Sequence, residues 1–120
     1  MTGSEQARCA CDTPRAEQIA RLNDRLRKHG AGGAIMVTRG VRMMAGFKPT
    51  ELLAQLAAYD GFDVDNDPHG ERDFGDVEVC GTGLLWKIDY YSRDMKFASP
   101  DPADPAVTER ILTVMLPEEW

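Results

Sequence analysis

At 120 residues the chain has room for one domain and not for two independent cores. Its 42% hydrophobic and 28% charged residues exclude the composition of a disordered chain. A net charge of −6 leaves no basic face to displace counterions, so nucleic acid is not expected as a partner and a basic protein partner suits the chain better.

No apolar run approaches the roughly 20 residues that span a bilayer, so no membrane is expected. The opening MTGSEQARCACDT has no signal-peptide core, and the expected location is cytoplasmic. The three cysteines, Cys9, Cys11 and Cys80, are odd in number and unsuited to a disulfide framework, which agrees with a reducing compartment. Cys9 and Cys11 have no partner ligands nearby in sequence, and neither a metal nor a cofactor is expected. Residues 1–12 read as a flexible tail, with a single domain over 13–120.

Thr13-Pro14 is a helix start, and the helix should run to about Lys28 with Ile19, Leu22 and Leu26 as its apolar stripe. Arg15, Arg21, Arg25 and Arg27 form the expected solvated side. Lys28 and His29 favour the C-terminal end of the dipole, and Gly30 can take the left-handed stop, so His29 reads as a capping residue. Gly30, Gly32 and Gly33 lack the G-K-[ST] of a phosphate cradle and read as a turn into a short strand, Ala34 to Thr38. Val41 to Phe47 fits a loop lying on the core, and Pro49 opens a second helix to about Tyr59 with Leu52, Leu53 and Leu56 on its apolar face. A long acidic loop follows.

Gly81-Thr82 matches a type II′ hairpin turn, which pairs Cys80 with Gly83, Val77 with Trp86, Asp76 with Lys87 and Asp73 with Tyr90. That register separates an apolar face from a charged one. The three prolines between Ser99 and Pro105 favour an extended, stiff connector. Thr108 to Leu116 is nearly continuously apolar and fits a central strand buried on both faces. The expected fold is α+β: a two-layer domain with a four-stranded, mainly antiparallel sheet and two helices on one face, in the order α-β-α-β-β-β.

The stretch DVDNDPHGERDFG, Asp63 to Gly75, holds the chemistry-bearing residues. Asp63, Asp65 and Asp67 match the opening of a calcium loop, but Pro68 stands where that loop needs glycine and Phe74 where it needs its glutamate. His69 and Glu71 point the same way if the segment is extended, and the hairpin brings Asp73 close to Asp89, Tyr90 and Tyr91. His69, Glu71, Asp73, Asp89, Tyr90 and Tyr91 are therefore the candidate cluster, with Asp63, Asp65 and Asp67 as an acidic loop beside it. The competing reading is structural, since aspartates in such loops bond to backbone amides two residues on.

IARLNDRLR (Ile19 to Arg27), DNDPHGERDFG (Asp65 to Gly75), WKIDYY (Trp86 to Tyr91) and SPDPADPAVTERILTVML (Ser99 to Leu116) resemble domain of unknown function family 3768, found mainly in alphaproteobacteria. The likeness runs over roughly residues 17 to 120. It implies an intact domain and brings no activity or catalytic residue with it. The family loop commonly reads P-x-G-E-H-D-F-G, and Arg72 stands here in place of its histidine, which speaks against a two-histidine metal site. The expected function is a small binding or regulatory module acting through its acidic loop and surface; the alternative is a metal-dependent or acid–base hydrolase using His69, Glu71 and Asp73.

Overall fold

The computed structural model describes residues 14–120. The expected tail, the Cys9-Cys11 pair and the Thr13 cap lie outside the described residues. Helix α1 spans Arg15–His29, with Pro14 immediately before it. It stops at Gly30, whose φ of 68° lets the Gly30 and Ala31 amides return to the carbonyls of Leu26 and Arg25. Strand β1 (Ala34–Val37) is followed by the short helix α2 (Arg39–Arg42), which the Thr38 hydroxyl caps by accepting from the Val41 amide. A loop was expected here; the turn of helix places Val41 in the core, fully buried. Helix α3 (Pro49–Ala58), β2 (Phe74–Val79), β3 (Thr82–Tyr91) and β4 (Glu109–Met115) complete the fold.

The sheet order is β1-β4-β3-β2, with β1 parallel to β4 and the other pairs antiparallel. This is the expected four-stranded, mainly antiparallel α+β sheet with helices packed alongside. Period-two alternation sends Val77, Val79, Leu84, Trp86, Ile88, Leu112 and Val114 into one core with Leu26, Leu52 and Leu56. Each such side chain contributes roughly 1.5–3 kcal/mol on burial. Trp86 is fully buried at the centre, edge-on to Tyr59 at 5.6 Å and Phe62 at 6.0 Å between ring centroids.

Further sequence expectations change. The hairpin turn is Cys80-Gly81, with φ of 53° and 75°, so both turn residues are left-handed as a type I′ turn requires. Val79 pairs with Thr82, Val77 with Leu84 and Asp76 with Leu85, a register two residues from the expected one. A two-residue shift returns every side chain to the same face, so polarity could not separate the two registers. Strand β4 is central but buried on one face, because Glu109, Ile111 and Thr113 alternate out of the core and remain half-buried.

The connector is not extended. Asp101 and Asp104 each accept a bond from the amide two residues on, and Pro105–Val107 forms a turn of 3-10 helix. Arg27 is 3% exposed rather than solvated. Its guanidinium donates to the carbonyls of Leu56 and Tyr59 at 2.8 and 3.0 Å, closing the C-terminal end of α3 where a cation is favoured.

Candidate functional site

Asn23 is the hub of a buried polar cluster. It lies on the apolar stripe of α1, four residues after Ile19 and three before Leu26, and is fully buried. Its Oδ1 accepts from Arg110 Nε at 2.7 Å, and its Nδ2 donates to the Tyr90 hydroxyl at 2.8 Å and the Glu71 carbonyl at 3.0 Å. Tyr90 in turn donates to Glu71 Oε1 at 3.0 Å, and the Arg110 guanidinium lies 5.2 Å from the centre of the Tyr90 ring. Arg110 Nη2 also donates to the Pro102 carbonyl. One cluster therefore joins α1, the acidic loop, β3, β4 and the connector. Burial lowers the pKa of Arg110, while Tyr90 and Glu71 act in the opposite direction, and burial drives the Tyr90 hydroxyl far above its ordinary value.

Arg72 ties the loop to α1 a second time. Its φ of 55° is left-handed, a conformation that costs a non-glycine residue about 1 kcal/mol. The turn lets its Nη2 reach Asp24 at 2.9 Å and Glu17 at 3.3 Å, while its amide donates to Asp67 Oδ1 at 3.0 Å. The Arg72 guanidinium holds Glu17 below the usual carboxylate range. Earlier in the loop, Asp63 Oδ1 accepts from the amides of Asp65 and Asn66, the Asx geometry of an ordinary turn. Asp65 is exposed, and His69 is exposed on the turn that follows.

The other candidates meet on a different surface. Asp73, Asp89, Tyr90 and Tyr91 line an open hollow of about 510 Å³ together with Met95 to Ala98. Asp73 and Asp89 also line a second hollow of about 430 Å³, shared with Phe74, Lys87 and Trp120. The two hollows have Asp73, Ile88 and Asp89 in common and make one groove. Lys87 neutralises Asp89 at 3.1 Å and lies 5.8 Å over the Trp120 ring. Asp73 has no cationic side chain bonded to it among the described residues. Burial, then the nearby Glu71 carboxylate, raises its pKa above the ordinary aspartate value, with His69 acting in the opposite direction.

The structure thus divides the candidate cluster. Glu71 and Tyr90 share the buried network, Asp73, Asp89 and Tyr91 line the groove along with Tyr90, and His69 lines neither hollow. No three His, Cys, Asp or Glu side chains among the described residues are arranged to hold a metal ion. No described helix is long and apolar enough to cross a membrane. Sequence reading missed Asn23, Arg27 and Arg110. Asn23 interrupted an apolar stripe, and Arg110 shares the parity of Leu112 and Val114 in β4; both were signals of a buried polar group.

Fold and site together define a small α+β domain whose acidic loop is built into its framework and whose sheet edge carries a shallow, partly aromatic groove. The chain belongs to the family described as protein of unknown function DUF3768, which it matches over residues 37–119. The matched span begins in β1, so α1 and its Asn23 precede it. No curated protein and no solved structure matches the chain.

Proposed function

We propose that the protein is a binding module whose ligand site is the groove at Asp73 and Asp89, and that its ligand is an extended basic segment with a lysine or arginine between apolar residues. The observation that carries this reading is the Asp73 carboxylate: half-buried, raised in pKa, and without a cationic partner among the described residues. A ligand cation there would offset the desolvation and the repulsion from Glu71. Phe74 and Trp120, 5.1 Å apart at one end, and Tyr91, Met95 and Phe97 at the other supply apolar contact on both sides of the charge. The hydrolase alternative needs His69, Glu71 and Asp73 to act together, but Glu71 is engaged by Tyr90 and His69 lines neither hollow.

The test is titration with a capped peptide alternating phenylalanine and lysine, followed by Trp120 fluorescence, with Trp120→Phe to identify the signal. Asp73→Asn should weaken binding roughly two- to fivefold, the scale of one partly exposed charge pair. Equal affinity of wild type and Asp73→Asn, or equal affinity for the glutamate version of the peptide, refutes the assignment.

A further inference from the structure

Among the described residues, strand β1 is an edge strand whose only sheet neighbour is β4. The Thr38 amide donates to the Val114 carbonyl at 3.0 Å, and the ladder sets Val37 beside Val114 and Ile35 beside Leu112. Alternation then turns the peptide groups of Ala34, Met36 and Thr38 toward β4 and those of Ile35 and Val37 outward. Among the described residues, none pairs with those outward groups. Ala34-Ile35-Met36-Val37 carries no charge and no proline, the usual guards of an exposed edge, and Met36 is 55% exposed.

Beside this edge, on the helix side, lies a hollow of about 460 Å³ lined by Ile35, Val37, Phe47, Leu52 and Leu53, with Arg42 as its charged member. Lys48 sits between the lining residues Phe47 and Pro49, and Arg39 opens α2 two residues after the end of β1. Arg39, Arg42 and Lys48 are exposed and form no ion pair among the described residues. Elsewhere Arg15, Arg21, Arg27, Arg72, Lys87 and Arg93 are paired, whereas Arg25, Lys28, Lys96 and Arg110 form no ion pair among the described residues but do not line this hollow. In a chain of net charge −6, three cations without an ion pair within ten residues, one of them lining an apolar hollow, favour a negatively charged occupant there.

We propose that β1 is a docking edge for an extended partner segment that alternates apolar and acidic residues and adds to the sheet as a fifth strand. The outward N–H and C=O groups of Ile35 and Val37 supply the main-chain bonds. Alternate apolar side chains enter the hollow, and the acidic residues meet Arg39, Arg42 and Lys48. A second copy of this chain is a poorer occupant, because Gly32 to Arg42 contains no carboxylate to answer those cations. The surface is separate from the Asp73 groove and has the opposite charge preference.

The probe is a capped peptide alternating valine and aspartate, titrated into the isotopically labelled protein with amide shifts recorded, beside its valine–lysine counterpart. Saturable shifts centred on Ile35 and Val37 are expected for the aspartate peptide, with Arg42→Glu weakening it roughly tenfold. Val37→Pro removes an outward N–H that β4 does not use, and should weaken binding roughly three- to tenfold. Should that variant unfold, Leu53→Asp tests the hollow instead, at a side chain already 48% exposed. Shifts centred elsewhere, no saturable shifts, equal binding of the lysine peptide, or self-association through β1 would each overturn the proposal.

Discussion

Replacing Asn23 by alanine should be among the most damaging single changes to this domain. Three hydrogen bonds end on its amide, and truncation strands the Arg110 Nε–H and the Glu71 carbonyl inside the protein while Tyr90 keeps Glu71 as acceptor. A stranded neutral group costs about 1–3 kcal/mol, and a buried guanidinium N–H more. Because Arg110 retains the Pro102 carbonyl, the total should be about 3–5 kcal/mol, within the range for broken buried networks. For a domain of this size that corresponds to a fall in Tm of roughly 12–20 °C. Urea unfolding followed by circular dichroism measures it. Tyr90→Phe should cost about 1 kcal/mol, and the double variant less than the sum, since both remove the same Asn23–Tyr90 bond. A loss below about 1 kcal/mol for Asn23→Ala, or strict additivity, would refute the view that this network holds α1 to the sheet.

The other outcomes concern charge, close approach and the hairpin turn. The folded state holds the Asp73 pKa above its unfolded value, so ionised Asp73 destabilises the fold at neutral pH, and this penalty is relieved as pH falls through the folded value and is gone below about 3.9. Asp73→Asn should accordingly be more stable than wild type in urea at neutral pH and equal to it in strong acid. Gly33→Ala should lose about 2–3 kcal/mol by thermal unfolding, because a Cβ there would stand 2.2 Å from the Arg110 carbonyl oxygen and force β4 or the α1–β1 turn to move. Cys80→Asn should gain a few tenths to about 1 kcal/mol in urea unfolding, since asparagine tolerates the left-handed φ of a type I′ turn better than cysteine.

Apolar spacing together with cap and turn residues determined that α1 runs to the end its Gly30 imposes, that α3 begins at Pro49, and that β2 and β3 form a half-buried hairpin leading to a central β4. These features follow from local rules: periodicity, caps and turn residues act within a few positions of the chain. The hairpin register was legible only to within two residues, because a shift of two leaves the polarity of each face unchanged. What β4 covers, and that β1 joins it in parallel, depended on strand order, which has no local signature. The site divided along the same line. Asp63, Asp67 and Glu71 announced a shaped loop, and Asp73 and Asp89 were close enough in the hairpin to be placed together. The partners that give those residues their roles come from far along the chain: Asn23 to Tyr90 spans 67 positions and Asn23 to Arg110 spans 87. Only tertiary packing could decide that Glu71 is consumed inside the domain while Asp73 remains on a groove. A carboxylate's chemistry is set by the cation or hydroxyl that reaches it, and those donors sit on other elements.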